Sequence, residues 1–232
     1  KYFNCRVPFL NGGLFEPDYD WKSSFMYLKN EIFEKILDVF DLYNFTVKED
    51  EPLEKEVAVD PEMLGKVFEN LLDESLRKGK GTYYTPREIV HYMCRESIVN
   101  YLKTETGVDE DTIRRLADWD ETGISAEDIK TGKYKDKVHT LWAREAKGIE
   151  NALRSVRIVD PACGSGAFLV GMLQEIVRMS RKVAKFTDNA FPEYQLKKET
   201  IQNSIYGVDI DPGAVEIAKL RLWLSLIVDY EL

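Results

Sequence analysis

Cysteine is scarce in this chain, with three residues, Cys5, Cys94 and Cys163, among 232. They are too few and too scattered for a disulfide framework, and none has a second cysteine or a histidine at metal-ligand spacing. A reducing, cytoplasmic setting without a bound metal is the expectation that follows. Long apolar runs are also missing. No stretch approaches the roughly 18 residues that a membrane helix needs, so a soluble chain without a membrane partner is expected. There is no basic-then-apolar leader, and the first residue is Lys1 rather than methionine, which reads as an excised piece of a longer protein. A Gly-Lys-Ser/Thr phosphate loop is absent, excluding that mode of nucleotide binding. So is any excess of positive charge: 32 Lys and Arg face 41 Asp and Glu, for a net charge of −9. That balance argues against a surface built wholly around phosphates, although Arg77-Lys78-Gly79-Lys80 is locally basic.

What is present is a globular composition, 44% hydrophobic and 31% charged, in a length that suits one substantial core or two smaller units. The turn signals Asn11-Gly12-Gly13 and Pro17-Asp18 predict an irregular or hairpin entry over residues 1 to 20. Over residues 25 to 42 the apolar side chains of Ile32, Phe33, Ile36 and Leu37 recur at helical spacing, predicting a core-facing helix. A short strand at 56 to 59 and a helix opened by Asp60-Pro61 follow. Thr85-Pro86-Arg87-Glu88 has the form of a capping box, with Thr85 as the cap of a helix running to about Leu102. Residues 104 to 137 read as a polar connector with helical pieces at 112 to 119 and 125 to 130, the latter opened by a Ser125/Asp128 box. A helix over 138 to 153 leads out of it.

From Val156 the pattern changes. A buried strand at 156 to 159, a glycine turn, a helix at 167 to 185, an extra helix near 192 to 202, a strand at 205 to 208 and a helix at 212 to 228 give a βαβα order. That order predicts a parallel sheet. The expected divisions are a helical N-terminal region (1–80), a helix and helical connector (81–155) and a first, incomplete half of an α/β domain (156–232).

The turn Asp160-Pro161-Ala162-Cys163-Gly164-Ser165-Gly166-Ala167-Phe168 lies between strand and helix, where an α/β sheet places nucleotide-like ligands. Gly164 and Gly166 let backbone approach a ligand without a Cβ in the way, and the helix start beyond them offers free N–H groups. The second strand ends at Gly207-Val208-Asp209-Ile210-Asp211-Pro212. A carboxylate there can accept both hydroxyls of a ribose: Asp209 takes that role, Ile210 lies against an adenine ring, and Asp211 caps the next helix. A dinucleotide fingerprint would need glycine or alanine at the position of Leu169, and an acidic residue about 20 residues on. Asp209 lies 43 residues after Gly166, so NAD is disfavoured. Taken singly, a Gly-Ser-Gly turn is more often a tight connection, and an Asp before Pro a helix cap. Placement at two adjacent strand ends is what points to a ligand.

Asp160 to Phe168 resembles the Asp-Pro-x-x-Gly-x-Gly-x-Phe motif I of amino-methyltransferases acting on DNA. Gly207 to Pro212 resembles their motif II. Gly81-Thr82-Tyr83-Tyr84-Thr85-Pro86-Arg87-Glu88 is similar to motif X of the adenine-N6 enzymes of restriction-modification systems. Motif X ahead of I and II is the gamma order, found in type IIG and type I-like modification enzymes. Pro8 to Phe15 and the helix from Asp60 resemble their lead-in segments. The resemblance implies an incomplete, Rossmann-like methyltransferase sheet of α/β class behind a mostly α-helical N-terminal subdomain. It implies S-adenosylmethionine (SAM) as cofactor. Thr82, Tyr83, Tyr84, Thr85 and Pro86, with Asp160, Ala162, Cys163, Gly164, Ser165, Gly166 and Phe168, would surround its methionine end, and Asp209 and Ile210 its nucleoside. The implied reaction is methyl transfer to N6 of an adenine flipped out of double-stranded DNA, with specificity or nuclease subunits or domains as further partners. The family's catalytic Asn/Asp-Pro-Pro-Tyr/Phe motif does not occur: Asp-Pro pairs begin at Asp60, Asp160 and Asp211, none continuing to a second proline and an aromatic. No catalytic residue is therefore assigned, and the expectation is a chain that binds cofactor without transferring methyl groups. Two other readings stay open: a non-catalytic interaction module of a restriction-modification complex, and a methyltransferase acting on RNA or protein glutamine.

Overall fold

In the computed structural model the described residues are 29–41, 44–45, 58–59, 63, 65–67, 85–133, 137–187, 189 and 192–227. In chain order the elements are α1 (Asn30–Asp41), β1 (Asn44–Phe45), β2 (Ala58–Val59), α2 (Arg87–Thr106), α3 (Glu110–Asp118), α4 (Ala126–Lys130), α5 (Lys137–Ser155), β3 (Ile158–Asp160), α6 (Ala167–Thr187), α7 (Glu193–Ser204), β4 (Ile205–Gly207) and α8 (Pro212–Ile227). They fall into two compact units. One comprises Thr85–Cys163 and Ala167–Val208; the other comprises Lys1–Tyr84, Gly164–Gly166 and Asp209–Leu232.

The first unit is built around α6, whose apolar residues Leu169, Val170, Leu173, Ile176, Val177, Met179 and Val183 go round the helix and are all buried. A helix apolar on every side must be enclosed, and α2 and α5 pack against it. Ile98 and Leu102 from α2, Ile113 and Leu116 from α3, and Ile149 and Leu153 from α5 complete the core. The segment 104 to 137 is thus more than a polar connector, since α3 contributes fully buried side chains. At the edge of the core, Trp119 and Phe186 pack against the buried Trp142 in tilted and edge-on contacts, ring centroids 5.5 to 5.9 Å apart, and Trp142 donates its indole N–H to the Thr112 carbonyl at 3.2 Å.

Local chemistry sets the helix ends. The capping box at Thr85 does not form: Pro86 takes the cap position, with φ −55° and ψ 141°, and no side chain caps the helix. The helix starts at Arg87, so Glu88 is its second residue rather than its third, out of reach for a box. At the far end α2 runs four residues past Leu102 and is closed by Gly107 at φ 71°, whose N–H bonds the Lys103 carbonyl. The Ser125/Asp128 box does form, with Ser125 N–H on Asp128 Oδ2 at 3.0 Å and Asp128 N–H on Ser125 Oγ at 3.1 Å.

β3 and β4 pair in parallel, Ile158 opposite Ile205, Val159 opposite Tyr206 and Asp160 opposite Gly207. The strand begins two residues later than the sequence predicts because the Val156 N–H still closes a helical bond on Ala152 O at 3.0 Å. It is also buried on one side only: Ile205 is buried, whereas Val159 and Tyr206 are 65% and 47% exposed.

In the second unit, β1 and β2 pair in parallel, Asn44 opposite Ala58 and Phe45 opposite Val59. α1 lies inside the helix predicted over 25 to 42, yet Ile32, Phe33, Ile36 and Leu37 are exposed rather than core-facing. Helical spacing makes a helix amphipathic without specifying what covers its apolar side. Residues 65–67 are helical, and α8 buries Ala214, Ala218 and Arg221 on one stripe. Among the described residues no helix is long and apolar enough to cross a membrane.

Candidate functional site

In the first unit the parallel pairing of β3 and β4 continues past the strand ends. The Val208 N–H donates to the Asp160 carbonyl at 2.9 Å and the Cys163 N–H to the Val208 carbonyl at 3.0 Å. The Asp160 carboxylate accepts the Ala162 N–H at 3.1 Å, closing the tight Asx turn that leads the chain out of the strand. Asp160 and Phe168 line a hollow of about 460 Å³ together with Met93, Cys94, Ser97 and Tyr101 of α2. The Cys94 thiol donates to the Phe168 carbonyl at 3.7 Å. Burial pushes that thiol up to about 12, helped by the negative charges of Glu175 and Asp160. Cys163 is buried, Ala162 exposed and Phe168 half-buried.

In the second unit Gly164 and Gly166 have φ of 51° and 86°, the left-handed region that residues with a Cβ rarely adopt. The Gly164 N–H donates to Asp209 Oδ2 at 2.8 Å. Asp209 Oδ1 accepts the Asp211 N–H at 2.9 Å, and Asp211 Oδ1 accepts the Gly213 N–H at 2.9 Å, which makes Asp211 the cap of α8. An ionised carboxylate offers about four lone-pair sites, so with one N–H on each oxygen Asp209 keeps two. Ile210 is 84% exposed. Among the described residues a Cβ placed on Gly164 would meet nothing within 4 Å, whereas one on Gly166 would lie 2.8 Å from the Cβ of Ala218. The turn is therefore packed against α8 at Gly166.

The structure thus brings Asp209 onto Gly164 directly, and Asp160 and Cys163 onto Val208. Thr85 is half-buried and Pro86 exposed, while Thr82, Tyr83 and Tyr84 lie outside the described residues. Sequence reasoning missed Arg221, 3% exposed, whose guanidinium donates to the Ser165 carbonyl at 3.0 Å. Its signal is a single arginine in the otherwise apolar run Leu220 to Leu224 of α8.

Residues 135–231 match the family described as MmeI, DNA-methyltransferase domain. Over 230 residues the chain is 36% identical to a Methanocaldococcus jannaschii protein named as a type II restriction enzyme and methyltransferase, which covers 95% of this chain and 18% of that protein. The chain is similar to DNA methyltransferases, one of them named together with a type II restriction enzyme. Another relative is DNA methyltransferase A of Bacillus subtilis, 25% identical over 221 residues, 95% of this chain and 20% of that one. A shorter match, 32% identical over 76 residues, joins 33% of the chain to 6% of the adenine-specific methyltransferase PglX of Streptomyces coelicolor. The chain spans about a fifth of the length of the first two relatives. No solved structure matches it.

Proposed function

We infer that this chain binds SAM at its glycine turn and belongs to an enzyme that methylates adenine N6 in DNA within a restriction-modification system. The observation that carries the reading is the 2.8 Å bond from the Gly164 N–H to the Asp209 carboxylate. It ties the glycine turn to the acidic residue that follows the second strand, and it leaves two acceptor sites on Asp209 for the hydroxyls of a ribose. Ile210 offers an exposed apolar surface to an adenine ring, and Gly164 presents no Cβ to a ligand. Asp160, Ala162, Cys163, Ser165, Gly166 and Phe168 would hold the methionine end, by resemblance, with Thr82, Tyr83, Tyr84, Thr85 and Pro86 as its cap. β3 and β4 would be the first two strands of a Rossmann-like methyltransferase sheet. SAM, when bound, supplies an electrophilic methyl group on a sulfonium. The chain's own residues bind and orient it. The whole enzyme would act on an adenine flipped from double-stranded DNA, alongside specificity or nuclease parts. This chain, which lacks the Asn/Asp-Pro-Pro-aromatic sequence, binds without transferring.

Titration calorimetry with SAM tests the assignment. The wild type binds, whereas Asp209→Ala and Gly164→Val each bind at least tenfold more weakly, about 1.4 kcal/mol or more. Asp209→Ala removes the ribose acceptor, and Gly164→Val forces a β-branched side chain into a left-handed backbone. Equal heats from all three proteins would remove the cofactor from this site.

A further inference from the structure

We propose that Gly65 and Arg221 are positioning residues for the glycine turn: they hold Ser165 by its side chain and its carbonyl, so that the neighbouring Gly164 keeps its N–H on Asp209. This rests on the reading of the turn as a SAM site, but its structural half can be tested without the cofactor.

Gly65 sits in a helical stretch and is buried. Glycine there is a poorer helix former than alanine, so its presence calls for a packing reason. The reason is close approach. A Cβ on Gly65 would stand 2.5 Å from Ser165 Oγ, 3.0 Å from Ser165 Cβ and 3.4 Å from Arg221 Nη1. The first distance lies far inside contact range, and Ser165, only 6% exposed, is too enclosed to yield easily.

Arg221 reaches the same residue from α8. A buried guanidinium stays charged and must be surrounded by acceptors, and the Ser165 carbonyl is one of them, at 3.0 Å. Ser165 is flanked by Gly164 and Gly166, the residue type with the widest choice of backbone conformations. Gly-Ser-Gly on its own therefore has no strongly preferred shape. Seating Gly166 against Ala218 and Ser165 against Gly65 and Arg221 removes that freedom before a ligand arrives, which lowers the ordering cost of binding.

The test is a double-mutant cycle on the full chain, read in two ways at a temperature where each variant is folded. In the cofactor-free protein, amide hydrogen exchange at Gly164 reports its bond to Asp209. Gly65→Ala is expected to speed that exchange at least tenfold. In a Ser165→Gly background, where the struck atoms are gone, the same change should alter it less than twofold. SAM affinity follows the same pattern, a tenfold or greater loss for Gly65→Ala in the first background and less than twofold in the second. Arg221→Met should also speed exchange tenfold, and Arg221→Lys, which keeps a buried cationic donor, should recover at least part of the protection. Should Gly65→Ala fail to fold, the Arg221 pair decides. Unchanged Gly164 exchange in Gly65→Ala, the same factor in both backgrounds, or equal exchange in Arg221→Met and wild type would overturn the proposal. If the wild type fails to bind SAM while the exchange pattern holds, the cofactor reading falls and the positioning role stands.

Discussion

Cys94 illustrates how burial and neighbouring charge decide what a side chain can do. It is 1% exposed, inside the hollow beside β3, and its thiol is pushed up to about 12, first by burial and then by the carboxylates of Glu175 and Asp160. Only the thiolate reacts with electrophiles, so Cys94 is inert in the folded chain at physiological pH. Iodoacetamide at pH 8 should label it at least tenfold more slowly in the native protein than in urea, followed by mass spectrometry of the Cys94 peptide. Equal rates would contradict the enclosed thiol. The sign of the pH effect follows from the raised value. The folded state holds the proton more tightly than the unfolded one, so this contribution to stability is complete below pH 9 and lost as pH rises towards 12. Asp209 was legible in the sequence because position at a strand end and the following Asp-Pro define it. Arg221 was not: an arginine among leucines on a helix reads by pattern as a side chain reaching out to water. Only its place beside the Ser165 carbonyl shows it to be buried.

At the scale of elements, α6 closes the end of α3 with its own cations. Lys182, 5% exposed, donates to the Ala117 carbonyl at 2.6 Å, and Arg178 reaches the same oxygen at 2.9 Å. Positive groups at the end of a helix meet its exposed carbonyls and its dipole. The Lys182 amine is nonetheless held below its usual range, chiefly by burial and then by Arg178. Lys182→Met keeps the aliphatic stem and removes the donor. Urea unfolding should then show a loss of about 1 to 2 kcal/mol, the worth of a charge-assisted bond with Arg178 still in place. A variant as stable as wild type would mean the bond contributes nothing. Such clamps are invisible to periodicity, which found α6 but read residues 104 to 137 as a connector. The apolar positions Ile113 and Leu116 are too few for an evident stripe, and Lys182 and Lys185 look like solvent-facing charges until α3 and the segment after it supply the carbonyls. Local chemistry was legible at Ser125/Asp128, whose box forms, and not at Thr85, where the helix starts one residue later than predicted, at Arg87, and the box is lost.

For the molecule as a whole, the βαβα order over residues 156 to 228 led correctly to a parallel strand pair and to the helices on either side of it in sequence. Burial was less legible. Strands of three residues are too short for alternation to say which side is covered, so Val159 was expected inside and is exposed. α1, found where helical spacing put it, likewise shows its apolar side. The glycine turn and Asp209 are joined by a hydrogen bond that no pattern of residues could establish, and the function proposed for the chain depends on it. Equilibrium dialysis against SAM, with NAD in a parallel cell, measures that function most simply. One SAM retained per chain, saturably and displaced by S-adenosylhomocysteine, with no retention of NAD, is the expected result; saturable NAD binding, or none for either nucleotide, would contradict it.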